Sequence, residues 1–88
     1  MPLTNDVFDN REAGRFELQT EGGRAFLRYK RADGALTLIH TEVPEELRGH
    51  RLGERLVVAA LDAARAEGLR VVAVCPYVRA YLRKHPQP

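Results

Sequence analysis

The segment PEELRGHRLGERL, residues 44–56, joins two stretches of different periodicity. The residues before it, 36–43, are mostly apolar or β-branched and predict a strand that ends at Pro44. After it, apolar residues recur at helical spacing and predict a helix from about Arg51 to Glu67. Arginines and glycines fill the connection, and the first N–H groups of a helix have no partner within the helix. We therefore expect a phosphate-binding site at this helix N-terminus.

The length and composition limit the class of protein. The 88 residues suffice for one domain, 1–88, with ends expected to be irregular at 1–14 and 85–88. A lone cysteine, Cys75, forms no intrachain disulfide and no cysteine-based zinc site, and a free thiol is typical of a reducing cytoplasm. No signal pattern begins the chain, and no apolar run approaches the ~20 residues of a membrane helix. We predict a cytoplasmic protein without a metal site, either a monomer or a homodimer.

The remaining elements predict a mixed α/β (α+β) fold. Alternating polar and apolar side chains predict three strands joined by short glycine-containing turns, at residues 15–20, 25–29 and 35–43. Gly68 ends the helix, and residues 70–75 form a continuous apolar run that is typical of a buried strand. Pro76 then favours the start of a second helix. The order β-β-β-α-β-α predicts an antiparallel meander followed by a parallel βαβ crossover.

Three short motifs in this order resemble a known family. Residues 39–44 (IHTEVP) and 48–53 (RGHRLG), followed by an alanine-rich helix, are similar to the cofactor segment of the GNAT superfamily of N-acetyltransferases. In that superfamily, a strand leads into a Q/R-x-x-G-x-G/A loop. The chain lacks the helices between the first two strands and the final β-hairpin of larger members. Together with residues 75–78 (CPYV), it resembles more closely the minimal, single-domain GNAT-like group of predicted acetyltransferases.

The resemblance implies a cofactor and a reaction. It implies that acetyl-CoA (coenzyme A) binds through its pyrophosphate to backbone N–H groups, and that the acyl group passes to an amine of a small molecule or peptide. The cofactor-binding residues are then Val43, Arg48, Gly49, His50, Arg51, Leu52, Gly53 and Glu54. Val43 is expected to pair through its backbone with the pantetheine amide. Arg51 replaces a glycine of the family pattern, and its side chain either crowds the pyrophosphate or binds it.

Four residues are candidates for the chemistry. Cys75 lies before a helix start, which lowers a thiol pKa, so it is either a nucleophile or a small core residue. The alternation of the third strand places His40 and Glu42 on the face of Leu38, where one of them accepts a proton from an ammonium substrate. Alternatively, both are merely hydrogen-bonded or solvated. The resemblance implies that Tyr77 protonates the departing thiolate, and the alternative is an aromatic residue of the core.

Two other classes of function stay open. One is a coenzyme A or acyl-CoA binding protein without catalysis, because a chain this small leaves little structure to hold an acceptor. The other is a nucleic-acid or protein interaction module that uses the basic clusters at residues 48–55 and 79–84. A net charge of only +2, from 14 basic and 12 acidic residues, makes nucleic acid the less favoured partner.

Overall fold

A computed structural model describes residues 7–87. The strands in this range are β1 (Phe8–Asn10), β2 (Arg15–Thr20), β3 (Gly23–Ala32), β4 (Ala35–Glu42) and β5 (Arg70–Ala73). The helices are α1 (Leu52–Glu67) and α2 (Pro76–Lys84), and a 3₁₀ turn, Glu45–Leu47, lies between β4 and α1. The sheet order is β1-β2-β3-β4-β5, with antiparallel neighbours except for the parallel pair β4 and β5. This sheet confirms the predicted meander and parallel βαβ unit.

The N-terminal region differs from the prediction. Residues 1–14 were expected to be irregular, whereas Phe8–Asn10 form β1 and pair with β2. Three residues are too few for a recognisable alternation, which is why the sequence gives no signal of this strand. Side chains also hold β1 in place, because Arg31 Nη2 donates to Asp9 Oδ2 at 3.1 Å and to Glu67 Oε2 at 2.8 Å. The irregular structure expected for residues 1–6 and 88 lies outside the described residues.

One hydrophobic core fixes α1 and α2 against the sheet. The fully buried large side chains come from both layers: Leu27, Leu36, Leu38, Leu56, Val57 and Val78. Ala60 and Ala64 are also buried, and their small side chains let α1 approach the sheet closely. Burial of each large side chain stabilises the fold by roughly 1.5–3 kcal/mol. The packing of α1 on the sheet places the N-terminus of this helix at the carboxyl end of β4.

Strand β4 contains one extra residue, Ile39. Arg28 and Tyr29 are consecutive in β3, but their partners in β4 are His40 and Leu38. Ile39 is therefore the inserted residue of a β-bulge. The alternation of faces reverses beyond it: Leu38 is fully buried, whereas Ile39 and His40 are both exposed.

The bulge changes which side chains face the core. The prediction that His40 and Glu42 lie on the face of Leu38 is therefore wrong, because alternation was extended across the inserted residue. Thr41, predicted on the opposite face, takes the core side instead, and its Oγ1 lies 3.4 Å from Cys75 Sγ. His40 and Glu42 project from the other face of the sheet near the end of β4, and the side chains of both are exposed.

Residues 7–87 lack two features, a membrane-spanning helix and a metal-binding cluster. No helix in this range is long and apolar enough to span a bilayer. The same residues contain no group of three histidine, cysteine, aspartate or glutamate side chains placed to hold a metal ion.

Candidate functional site

A cavity of about 690 Å³ opens at the carboxyl end of β4. It lies between that strand, the 3₁₀ turn and the N-terminus of α1, and Tyr77 of α2 contributes to its wall. The volume falls within the ~300–1,000 Å³ that is typical of ligand pockets. Its lining includes every predicted site residue except Cys75 and His50. The structure thus brings the predicted cofactor loop and His40, Glu42 and Tyr77 together around one space.

The outer wall of the cavity is the 3₁₀ turn Glu45–Leu47, which the β2–β3 hairpin supports. Leu47 lies so close to Gly22 that a Cβ at Gly22 would be 2.9 Å from Leu47 Cδ2. Arg48 Nε donates to the carbonyl oxygen of Val43 at 3.3 Å, which ties the two ends of the turn together. The Val43 carbonyl, one of the two backbone groups expected to pair with a pantetheine amide, thus already accepts one hydrogen bond and has a second lone pair left.

The N-terminus of α1 has a left-handed residue where many helices have a capping side chain. Arg51 has φ 63° and ψ 25°, and no side-chain hydrogen bond caps the helix. Glycine adopts this conformation freely, so the conformation of Arg51 is one that the glycine of the family pattern could also take. The N–H groups of Leu52, Gly53 and Glu54 have no partner within the helix and border the cavity. Backbone groups placed in this way can hold an anion.

Charged side chains near this helix end act in opposite directions on an anion. Arg48 and Arg51 attract it, and the Arg51 side chain is 82% exposed. Glu54 repels it from within the first turn, and its Oε1 lies 4.0 Å from Arg51 Nη1. Because the Arg51 guanidinium lies in solvent beside Glu54, it leaves the helix N–H groups uncovered.

His40 and Glu42 form a hydrogen-bonded pair at the cavity. His40 Nε2 lies 3.2 Å from Glu42 Oε1, and the two side chains are 49% and 60% exposed. The ring of Phe26 meets the imidazole edge-on, with 6.3 Å between centroids. A carboxylate on one ring nitrogen fixes the tautomer and leaves the other nitrogen able to accept a proton. The pair can therefore remove a proton from a cationic amine.

Cys75 lies behind the cavity wall, next to Thr41. The residue is 3% exposed. Burial alone raises the pKa of the Cys75 thiol, but the Thr41 hydroxyl and the backbone N–H groups of Val78, Tyr77 and Thr41 outweigh that effect. The thiol pKa therefore lies below its ordinary value. These hydrogen bonds stabilise the thiolate form of Cys75 relative to an isolated thiol, while burial keeps the side chain out of the cavity.

Tyr77 lies across the first turn of α1. A Cβ added to Gly53 would be 2.7 Å from Tyr77 Oη, so the phenol covers that glycine. Burial raises the pKa of the Tyr77 hydroxyl, and the charges of Glu54, Tyr81 and Cys75 raise it further. The hydroxyl is therefore protonated at neutral pH and can donate a proton or a hydrogen bond into the cavity.

Sequence reasoning missed Thr41, a polar residue of the site. It lines the cavity and contacts Cys75, yet strict alternation placed it away from the core. Only the bulge at Ile39 brings it there. No local pattern marks that insertion, because residues 38–41 are compatible with an unbroken strand.

The mixed sheet, in which β4 leads through a glycine-containing turn to the N-terminus of α1, is compatible with a minimal GNAT-like fold. In agreement, residues 15–88 match the family model of the GCN5-related N-acetyl-transferases, and the chain belongs to this family. The chain is 33% identical over 85 residues to protein NATD1 of Mus musculus. The matched residues cover 93% of this chain and 77% of that protein. The chain is also 33% identical to protein NATD1 of Homo sapiens, and the matched residues cover 93% of this chain and 75% of that protein. In Danio rerio, 51 residues of protein NATD1 are 37% identical.

Proposed function

We propose that the chain is an acetyl-CoA-dependent N-acyltransferase that acts on an amine of a small molecule or peptide. The observation that carries the proposal is the uncapped N-terminus of α1, which opens onto the cavity at the end of β4. The family to which the chain belongs generally uses acetyl-CoA. The cavity, the helix end and the family therefore all support the same ligand.

The residues of the loop fit a pyrophosphate. N–H groups of Leu52, Gly53 and Glu54 are placed to donate to it, and the guanidinium groups of Arg48 and Arg51 add positive charge. Gly49 has φ 91°, and nothing lies within 4 Å of the position that its Cβ would take, so the loop stays open there. His50 is exposed next to it. Val43 lines the same cavity as the loop, His40 and Tyr77.

The proposed chemistry divides two proton movements between two side chains. Bound acetyl-CoA supplies a thioester whose acyl carbon is open to attack by an amine. His40, oriented by Glu42, accepts the proton that an ammonium acceptor loses. Tyr77, whose pKa is raised, donates a proton towards the departing sulfur. Direct attack by the amine fits this geometry better than a covalent step on Cys75, because that thiol is 3% exposed behind Thr41.

Calorimetric titration with acetyl-CoA and with coenzyme A tests the binding step. We expect Arg48→Ala to weaken binding and Glu54→Gln to strengthen it, each by roughly two- to fivefold, the size of one exposed charge contact. Arg70→Ala is the matched control, because Arg70 is an exposed arginine at the amino end of β5. The cavity lies at the other end of the sheet, where the parallel strand β4 ends. No binding to the wild-type protein at millimolar ligand would refute the proposed cofactor.

Thiol release in the presence of a panel of amines tests the transfer step. We expect His40→Gln to lower the rate at least tenfold with little change in acetyl-CoA affinity, because general bases contribute roughly 10²–10⁴-fold. His85→Gln is the control, since His85 stacks on Tyr81 and lies outside the cavity lining. Tight binding without transfer to any amine would instead support the non-catalytic acyl-CoA binding protein.

A further inference from the structure

The space above Gly53 is filled by the end of the Tyr77 side chain. A Cβ at Gly53 would lie 2.7 Å from Tyr77 Oη, 2.8 Å from Cζ and 3.0 Å from Cε2. These separations are shorter than ordinary carbon contacts, so an alanine at position 53 displaces the phenol. Gly53 itself is buried although it is in the first turn of its helix, whereas Tyr77 remains 43% exposed. The ring thus forms a cover over this glycine.

The two glycines of the loop differ in what surrounds them. Nothing lies within 4 Å of a Cβ at Gly49, and its φ of 91° calls for glycine whatever the surroundings. Gly53 has no such left-handed backbone, so its conformation would accept alanine. A side chain at position 53 would therefore conflict with Tyr77, which lies in the first turn of α2.

We infer that Gly53 is a positioning residue whose missing side chain seats Tyr77 and thereby sets the place of the Tyr77 hydroxyl in the cavity. The inference rests on the proposed function only for the part that the Tyr77 hydroxyl plays in the reaction. It assigns Gly53 a role that differs from the close approach of a phosphate. The contact itself exists without any ligand, so it can be tested separately from catalysis.

Unfolding of four proteins without ligand tests the contact. They are the wild type, Gly53→Ala, Tyr77→Ala and the double variant. We expect Gly53→Ala to lower the unfolding midpoint when Tyr77 is present and to raise it in the Tyr77→Ala background, where only the better helix propensity of alanine remains. The same shift in both backgrounds would overturn the inference. A Tyr81→Ala background is the control, and there Gly53→Ala should act as in the wild type.

The tyrosine absorbance titration gives a readout that a purely structural role would not change. The difference between wild type and Tyr77→Phe isolates the Tyr77 hydroxyl from those of Tyr29 and Tyr81. We expect Gly53→Ala to move the Tyr77 pKa towards the ordinary value for tyrosine, because the displaced ring loses burial and its proximity to Glu54 and Cys75. An unchanged Tyr77 titration would overturn the inference.

Activity completes the test and distinguishes the inference from the proposed function. We expect Gly53→Ala to lower the transfer rate at least tenfold, and to have no further effect on that rate in the Tyr77→Phe background. If Gly53→Ala lowers the transfer rate by the same factor in the Tyr77→Ala background, its effect does not pass through Tyr77 and the inference is wrong. If the wild type binds no acetyl-CoA, the proposed function fails, while the unfolding and titration results still decide the role of Gly53.

Discussion

Replacing Arg51 with glycine should stabilise the fold. Arg51 has φ 63°, in the left-handed region that costs an L-residue about 1–2 kcal/mol. Glycine adopts this conformation without that cost, but its greater freedom in the unfolded chain removes about 0.5–1 kcal/mol of the gain. The ion pair lost with Arg51 is 4.0 Å from Glu54 and 82% exposed on the arginine side, so it contributes close to nothing. These ranges give a net stabilisation between about 0 and 1.5 kcal/mol, centred on about 0.5–1 kcal/mol.

Thermal unfolding measures this gain directly. For a domain of this size, about 0.5–1 kcal/mol corresponds to a rise in Tm of roughly 2–8 °C. The matched control is Arg51→Ala, which removes the same charge but keeps a Cβ in the left-handed conformation. Its Tm should lie at or below that of the wild type. Equal Tm values for the glycine and alanine variants would refute the argument that backbone conformation, and not the arginine side chain, decides stability at this position.

Three further predictions concern the thiol, an acid-sensitive ion pair and the core. Thr41→Val should raise the Cys75 pKa, seen as a shift of the thiolate absorbance near 240 nm to higher pH; an unchanged midpoint would exclude Thr41 as a cause. Hydrogen bonds from Arg31 hold the pKa of Glu67 below its usual value, so the pair stabilises the protein above the usual carboxyl range, and this stability is lost as pH falls through the lowered pKa. The free energy of unfolding in urea should therefore be lower for Glu67→Gln than for the wild type at pH 7, and the two values should converge in acid. A difference that stays constant with pH would contradict this. Leu56→Ala should cost about 2–5 kcal/mol in the same assay, whereas Val58→Ala, a 42% exposed neighbour on the same helix, should stay within about 0.5 kcal/mol.

The parts of the fold that follow from local periodicity could be predicted from the sequence. The helix expected from about Arg51 to Glu67 is observed as Leu52–Glu67, and the strand expected at residues 15–20 is observed as Arg15–Thr20. Both are long enough for the spacing of apolar residues to define the element and the buried face. The predicted strand at 70–75 ends earlier, at Ala73, because Cys75 already precedes the first turn of α2.

The arrangement of the site depended on contacts that no local pattern encodes. The bulge at Ile39 reverses the faces of β4 and so decides that Thr41, not His40, meets Cys75. The packing of Tyr77 over a glycine 24 positions earlier follows from the tertiary arrangement of α1 and α2. The predicted loop does lie between β4 and α1, whereas its binding of a cofactor and the roles of its individual residues stay predictions.

The 3₁₀ turn Glu45–Leu47 has a consequence for how a ligand can be detected. None of its residues is buried, whereas the strand and the helix on either side of it belong to the core. Segments with few buried contacts open at a lower free energy than the whole molecule, so amide hydrogens of this turn should exchange with deuterium well before those of β4 and α1. A molecule bound in the cavity would hold the turn closed and slow that exchange. The turn therefore reports occupancy of the cavity by mass spectrometry, for any candidate ligand and before its acceptor is known.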